Sequence, residues 1–306
     1  MMRRSIYAVR LDTVRYERKL SLIAAVDSVE SSHSIINSMM DIAEETGYPY
    51  EILISTRLPD EERYYYDEIR VISRNTKRRS DGLAKAIKSA TGNYTFIFDP
   101  SINYSLSYAD LIYGYINIGT SEVLVSNVIG FQTDVAINVG NWRPLVCGED
   151  IDLMARALDS YGVISYPLGS LTGFDIGELI YGKKRSRIEK AIAMRDLVIA
   201  ANLKHSDIAE MMEAMDMDIA TYEWMMSGKI LSYLSRIRPY EKNVNNYVFV
   251  MDRIIESYIS QDYRRIDTIS DTPKITLSPR TRRYLSAVSD LWTAQDTDNK
   301  YPKESI

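Results

Sequence analysis

The sequence of 306 residues contains a single cysteine, Cys147, and only two histidines, His33 and His205. A disulfide within the chain is therefore excluded, and so is a metal centre built on cysteine and histidine. No apolar run approaches the roughly 18 residues that a transmembrane helix needs, so no membrane span is predicted. Residues 1–10 carry arginines but no apolar core with a cleavage site, so no secretory signal is predicted. We expect a cytoplasmic protein whose membrane contact, if any, is peripheral.

An excess of positive charge is also absent. The chain has 37 lysines and arginines against 42 aspartates and glutamates, which gives a formal net charge of −5. Binding to a nucleic-acid backbone requires a strongly basic stripe, and neither half of the chain has one, so nucleic acid is not a predicted partner. The apolar fraction of 45% is typical of a globular protein with a sizeable core.

Apolar runs of strand length alternate with helical patterns through residues 19–170, which predicts crossover connections and a mostly parallel α/β sheet. The predicted strands are 19–26, 51–55, 68–72, 94–98, 122–128 and 163–166, and the predicted helices between them are 35–43, 82–90, 133–139 and 150–161. Beyond Gly182 the patterns become helical, at 188–202, 206–215, 219–237, 248–259 and 279–293. We therefore predict an α/β domain over residues 1–182 and a helical C-terminal region over residues 183–306.

Candidate functional residues follow the predicted strands, because an open parallel sheet binds ligands at the carboxyl ends of its strands. Asp27 follows the first strand, Ser55 and Thr56 end the second, and Asp99 follows the fourth. Two further acids, Glu149 and Asp150, begin the helix after Gly148. Carboxylates are stabilised at helix starts, so capping alone is one interpretation of this pair.

Two segments resemble the family-two glycosyltransferases of the GT-A fold. The passage from Asp81 to Asp99 is similar to the family's Gly-rich helix, turn and apolar strand that ends in aspartate. The segment Gly148-Glu-Asp-Ile-Asp-Leu-Met-Ala-Arg156 is similar to the family's Glu-Asp-x-Asp-Leu motif. The resemblance covers residues 19–170 and implies a GT-A-like, Rossmann-type mostly parallel sheet, with the C-terminal helical region outside it.

The resemblance implies the inverting transfer of a sugar from a nucleotide diphosphate to an acceptor hydroxyl on a glycan or a lipid-linked sugar. Asp150 is then the general base, and Glu149 holds the loop or the acceptor. Trp142 and Arg143 become candidate acceptor contacts. The implied nucleotide-binding residues are Ala25, Asp27, Ser55, Thr56, Arg78, Arg79 and Asp99.

The sequence departs from the family at the donor pocket. The usual D-x-D pattern is Asp99-Pro-Ser101 here, so Asp99 remains as the candidate ligand for Mn²⁺ or Mg²⁺ and its partner aspartate is a serine. We expect a weaker metal dependence, with Arg78 and Arg79 clamping the diphosphate in its place. The alternative is that this basic run is a solvated loop.

Two other interpretations stay open. A glycosyltransferase-like domain without turnover would act as a binding or assembly module, with its helical region as the interaction surface. A sugar-nucleotide pyrophosphorylase is disfavoured, because no Gly-rich loop with a basic residue follows the first strand. Residues 229–242 combine apolar and basic side chains in a pattern that suits either a membrane-surface helix or ordinary core packing, and packing is the favoured interpretation.

Overall fold

The computed structural model describes residues 18–58, 69–146, 148–169, 187–215, 219–239, 244–267 and 277–284. Within these ranges, eight strands form one sheet. The strands are β1 (Leu20–Val26), β2 (Tyr50–Thr56), β3 (Ile69–Ser73), β4 (Tyr94–Phe98), β5 (Val123–Val125), β6 (Val128–Gln132), β7 (Val163–Ser165) and β8 (Arg264–Ile266). Their order across the sheet is β3-β2-β1-β4-β6-β5-β7-β8.

The helices of the described residues fall into two sets. Those between the strands of the first half are α1 (Val29–Thr46), α2 (Arg79–Ser89), α3 (Ser107–Ile118), α4 (Thr133–Asn138) and α5 (Glu149–Leu158). Those of the second half are α6 (Arg187–Ala200), α7 (His205–Met215), α8 (Ile219–Tyr233) and α9 (Val244–Ser260). No helix in the described ranges combines the length and the apolarity that a membrane crossing requires.

The central strands are parallel, as the alternation of strands and helices predicted. Strand β1 pairs in parallel with β2 and with β4, β2 with β3, and β5 with β7, whereas β6 and β8 run antiparallel to their neighbours. Every residue of β1 is buried, which is what a strand covered by helices on both faces requires. The predicted α/β class with a mostly parallel sheet and a helical second half is confirmed.

Side chains along β1 divide the core between the two faces of the sheet. Leu20, Leu22 and Ala24 pack with the apolar faces of α1 and α3. Ile23 and Ala25 point to the other face, where α2, α5 and the helices of the second half contribute the apolar side chains. The period of two along a strand produces this division, and it places the helical C-terminal region on the same face as α2 and α5.

Three features of the chain differ from the sequence prediction. The predicted strand 122–128 is in fact two strands, β5 and β6, because Ser126 and Asn127 form a tight turn within the apolar run. Helix α3 lies in a tyrosine-rich stretch for which no element was predicted. Strand β8 lies between two predicted helices of the C-terminal region, where no strand was predicted, and pairs with β7. The predicted domain boundary at residues 182 and 183 lies outside the described residues.

Candidate active site

The carboxyl ends of the central strands meet at one edge of the sheet and bring the candidate residues to that edge. In the parallel register Ala24 lies beside Phe98 and Val26 beside Thr56, so Asp27 and Asp99 both follow strand ends at the same edge of the sheet, with β1 extending two residues beyond β4. Helix α2 begins at Arg79, earlier than predicted, so Arg79 is part of the helix and Arg78 is its N-cap residue. The start of α2 thus stands above this edge.

Helix α5 presents the acidic pair from a sharply defined start. Its N-cap residue Gly148 has a φ of 70°, a conformation that favours glycine. A Cβ at this position would lie 2.4 Å from the hydroxyl of Tyr247 on α9. Both the backbone and the close approach of α9 therefore require glycine, and the first helical residues, Glu149 and Asp150, project from a fixed element.

Asp150 is held by two donors from other parts of the chain. Nη1 of Arg79 donates to both of its carboxylate oxygens at 2.8 and 3.0 Å, and the indole Nε1 of Trp142 donates to Oδ1 at 2.8 Å. The same Nη1 lies 3.4 Å from Oε1 of Glu149. The N-cap residue Gly148 makes no side-chain hydrogen bond, and both acids lie in the first turn of the helix, where the partial positive charge of the helix start stabilises them as well.

The acidic side chains in this cluster outnumber the single guanidinium of Arg79. Burial opposes the charge on Arg79, but the carboxylates of Asp150, Glu149 and Asp99 outweigh it and raise the pKa of the guanidinium. Burial and the adjacent charge of Asp150 raise the pKa of Glu149, although Arg79 acts in the opposite direction. Two acids therefore bind one guanidinium and a third acts on it electrostatically, and perturbed pKa values of this kind occur at functional sites as well as in structural ion-pair networks.

Asp99 closes the turn that follows β4. Its Oδ1 accepts hydrogen bonds from the backbone N–H of Ser101 at 2.9 Å and from the Ser101 hydroxyl at 2.7 Å. Its own N–H donates to the hydroxyl of Tyr104 at 2.7 Å, and that hydroxyl donates to the carbonyl of Asn127. Burial raises the pKa of Tyr104, so the phenol stays protonated and keeps this turn in place.

A second ionic cluster surrounds Asp27 at the end of β1. Nη2 of Arg74 donates to Asp27 at 2.7 Å, and Nε of Arg57 donates to the same oxygen at 3.0 Å. Arg74 also donates to the carbonyl of Arg78 at 3.1 Å. The side chain of Asp27 is 44% exposed, so its carboxylate remains accessible at the rim of the sheet.

Ser55, Thr56 and Ala25 lie beneath the surface at this edge. Ser55 is fully buried, and a Cβ on Gly82 of α2 would come within 2.4 Å of its hydroxyl. Thr56 is 2% exposed and accepts a hydrogen bond from the N–H of Leu58, and Ala25 is 6% exposed. A nucleotide would therefore reach Ser55 only after a shift of α2, and the binding role of these three residues stays a prediction.

Two further candidates, Arg78 and Trp142, form hydrogen bonds with other residues of the chain. Arg78 donates through Nε to Asp81 at 2.9 Å and through Nη1 to the carbonyl of Pro144 at 3.3 Å. Trp142 is 4% exposed, and its indole N–H is turned towards Asp150. This geometry suits a residue that orients Asp150 better than one that contacts an acceptor.

Asp152 organises the loop in front of α5. It is 1% exposed and accepts hydrogen bonds from two arginines, Arg143 in the loop and Arg156 one turn further along the helix. Arg143 also donates through Nη1 to the carbonyl of Arg238 at 2.6 Å. These contacts suit a residue that holds the loop against the start of the helix, while the acceptor role of Arg143 stays a prediction.

The helical second half contributes residues that the sequence did not reveal. The buried carboxylate of Asp196 on α6 accepts the backbone N–H of Val146 at 2.8 Å and is itself bound by Arg195. The hydroxyl of Tyr247 lies close to Gly148, and the carbonyl of Arg238 accepts a hydrogen bond from Arg143. These contacts join segments about 50 to 100 residues apart in the chain, and no local pattern marks them.

A metal would have to be held largely by its substrate. Within the described ranges, no group of three histidine, cysteine, aspartate or glutamate side chains is arranged to hold a metal ion. Asp99 offers one carboxylate at the strand edge. Such a donor set fits Mg²⁺ or Mn²⁺ only in the manner in which Mg²⁺ commonly binds beside nucleotides, through one or two carboxylates with phosphates and water.

No family model and no curated protein matches this sequence, but solved structures share its arrangement in part. A structure of S. aureus TarS is 13% identical over 92% of this chain and 54% of that chain, with a TM-score of 0.41, so this chain spans about half of its length. The mannosyltransferase PcManGT from Pyrobaculum calidifontis, in complex with GDP-Man and Mn²⁺, is 11% identical over 98% of this chain and 95% of that chain, with a TM-score of 0.45. M. tuberculosis glucosyl-3-phosphoglycerate synthase is 13% identical over 65% of this chain and 86% of that chain, with a TM-score of 0.45. Similarities of this size carry no argument about activity.

Proposed function

We propose that the chain is a glycosyltransferase of the GT-A type, which moves a sugar from a nucleotide diphosphate to an acceptor hydroxyl with inversion. The observation that carries the proposal is the convergence of Asp150, Glu149 and Asp99 on Arg79 at the edge where the parallel strands end. Open α/β sheets bind ligands at this edge. The cluster pairs a rigidly held carboxylate with a nearby one that has an altered pKa.

Asp150 is the general base of the proposed reaction. As the acceptor oxygen attacks the anomeric carbon, the bond from that carbon to the diphosphate oxygen breaks and the hydroxyl proton passes to Asp150. The Trp142 indole fixes the orientation of the carboxylate, and rigid support of this kind keeps a base within hydrogen-bond reach of the attacking group. Attack from the side opposite the leaving group inverts the anomeric centre.

The donor would lie between Asp27 and Asp99. Asp27 is the accessible acid beside the end of β1, and it suits the base or the ribose of the nucleotide. Asp99 is the residue that would hold a divalent cation arriving with the diphosphate, and such a cation would offset the charge of the leaving group. Arg79 is within electrostatic reach of Asp99 and is bound to Asp150, so the diphosphate would compete with Asp150 for its guanidinium.

One observation favours a binding module without turnover as the second candidate. Arg78 and Arg79, the residues predicted to clamp the diphosphate, already donate to Asp81 and Asp150. If the ion pair of Arg79 with Asp150 never opens, the base is not available. Such a domain would bind partners through its surface and would not transfer sugar.

A thermal-shift series separates the two candidates. UDP, GDP, UDP-GlcNAc and GDP-Man are added to the purified chain with and without Mn²⁺, and the hits are then tested for transfer to glycan and lipid-linked acceptors. A ligand at about 100 times its Kd adds about 2.7 kcal/mol to the free energy of unfolding, which raises Tm measurably. Binding followed by turnover supports the transferase, whereas no shift with any nucleotide contradicts a nucleotide-sugar site.

We also propose a location inside the cell. The chain has a single cysteine and so forms no internal disulfide, which is usual for proteins in a reducing compartment.

A further inference from the structure

Large apolar side chains are exposed at the C-terminal end of α8. Ile230 is 62% exposed, Tyr233 71% and Leu234 80%. The sequence favoured core packing for this stretch, and that expectation is wrong for these three side chains, while Ile237 is partly buried as it predicted. We call Ile230, Tyr233 and Leu234 the α8 patch.

The α8 patch has a basic border. Arg236 and Arg238 follow it and are exposed, and Lys229 lies beneath it with Nζ at 5.3 Å from the centre of the Tyr233 ring. Residues 229–239 contain no acidic side chain, although the whole chain has a net charge of −5. Positive charge is therefore concentrated where apolar side chains are exposed.

The α8 patch also borders the candidate active site. The carbonyl of Arg238 accepts a hydrogen bond from Arg143 at 2.6 Å, and the neighbouring Trp142 donates to Asp150. A surface that meets the α8 patch would consequently lie beside the loop that carries the site. An acceptor embedded in that surface would be presented to Asp150 without crossing the protein.

We propose that the α8 patch docks the protein on a phospholipid bilayer whose headgroups are anionic. Aliphatic and tyrosine side chains with adjacent arginines are the combination that inserts at a membrane interface. Arginine side chains are attracted by anionic headgroups, and the otherwise acidic surface is repelled, so the charge pattern orients the protein. Three exposed side chains are far fewer than the 20–30 residues a side that a stable protein interface uses. The docking goes beyond the transfer reaction and does not depend on it; only the presentation of an acceptor to Asp150 rests on the proposed function.

Vesicle flotation of the full chain tests the proposal. The chain is mixed with vesicles of phosphatidylcholine alone or with vesicles that also contain phosphatidylglycerol. We expect flotation with the mixed vesicles, little flotation with phosphatidylcholine alone, and weaker flotation as salt screens the arginines. Equal binding to both kinds of vesicle, or to neither, would overturn the proposal.

Variants then locate the contact. The combined substitution Ile230→Ser, Tyr233→Ser and Leu234→Ser should abolish flotation, and Arg236→Gln with Arg238→Gln should weaken it by about tenfold. The matched control is Ile118→Ser, since Ile118 is 70% exposed at the end of α3 on the other face of the sheet. It should float like the wild type. Normal flotation of the patch variant contradicts membrane docking. So does a wild-type dimer in light scattering that the patch variant no longer forms, because the α8 patch would then be a dimer contact.

Discussion

Two glutamates at opposite edges of the same sheet, Glu51 buried and Glu149 partly buried, have pKa values that shift in opposite directions. Glu51 lies near the start of β2, where hydrogen bonds from Ser21, Thr91 and Arg70 outweigh burial and lower its pKa to about 2. Ser21 donates at 2.7 Å and Arg70 at 2.9 Å, so the carboxylate is surrounded by donors. The amino edge of the sheet therefore stabilises the charge of its acid.

At the carboxyl edge the arrangement is reversed. Glu149 is partly buried beside Asp150, and burial and that neighbouring charge raise its pKa, while Arg79, which it shares with Asp150, acts in the opposite direction. An arrangement that disfavours the charge of its own acid costs folding free energy. Such costs are found at functional sites, so the comparison supports the proposed active site at the carboxyl edge.

The largest effect is expected from Asp150→Asn. If Asp150 is the base, the substitution keeps the shape of the side chain but removes the proton acceptor, and the transfer rate should fall by about 10² to 10⁴. Nucleotide affinity should persist, because Asp27 and Asp99 are untouched. Rate and affinity are measured on one preparation with the donor found by thermal shift.

A matched control is available at the other edge of the sheet. Asp134 also occupies the first turn of a helix, α4, and is exposed. Asp134→Asn should leave both rate and affinity unchanged. Turnover retained in Asp150→Asn would remove Asp150 from the mechanism.

The second effect is on stability, from Glu51→Gln. The folded pKa lies below the usual 4.5, so the stabilisation by the carboxylate is complete above about pH 4.5 and is lost as the pH falls towards 2. We expect Glu51→Gln to lower the free energy of unfolding at pH 7 by about 1.5 to 3 kcal/mol, because Ser21, Thr91 and Arg70 lose a charged hydrogen-bond acceptor. Chemical denaturation at several pH values measures both effects.

Glu45→Gln is the control, because Glu45 is an exposed glutamate on α1. It should change stability by at most about 0.5 kcal/mol. An equal loss in the two variants would show that the network around Glu51 has no special role in stability.

Local patterns in the sequence were sufficient for the elements that place the site. The apolar run of β1, the run of β4 that ends at Asp99 and the acidic start of α5 were all predicted within a few residues. Each carries its signal within its own segment, as burial on both faces or as a helix that follows glycine. The common edge of Asp27 and Asp99 followed from the parallel arrangement alone.

Contacts between distant segments could not be predicted. The partners of Asp150 are Arg79 and Trp142, and the loop that holds them depends on Asp196 and Tyr247 from the second half. Their positions depend on tertiary packing, which leaves no local periodicity. Strand β8 escaped prediction for the same reason, since a strand of three residues exists only through its pairing with β7.

The third prediction concerns the guanidinium of Arg79 at the carboxyl edge. Arg79→Gln removes the charge that partly offsets burial of Glu149, so the pKa of Glu149 should rise further. Loss of a charged hydrogen bond should also lower the free energy of unfolding by about 2 kcal/mol. Titration followed by NMR measures the pKa, and the neighbouring Lys77→Gln is the control. An unchanged pKa of Glu149 would mean that Arg79 does not control the acidic pair.

The smallest expected effect is the change in the free energy of unfolding that Glu149 causes, and its sign is opposite to that of Glu51. Because the folded pKa of Glu149 lies above its usual 4.5, the folded state holds its proton longer than the unfolded chain. Stability from this group is therefore present at low pH and is lost as the pH rises through the folded pKa, the opposite of Glu51.

Because the pKa of Glu149 is raised, Glu149→Gln should raise the free energy of unfolding at neutral pH, and it should flatten the decline above pH 4.5. Single stabilising substitutions typically contribute about 1 kcal/mol. The identical substitution at Glu51 lowers stability, so each variant serves as the reference for the other. If both lose stability, Glu149 is satisfied by contacts of its own, and the contrast between the two edges fails. If Glu149→Gln gains stability while transfer slows, the carboxyl edge keeps this acid for its chemistry at a cost to the fold.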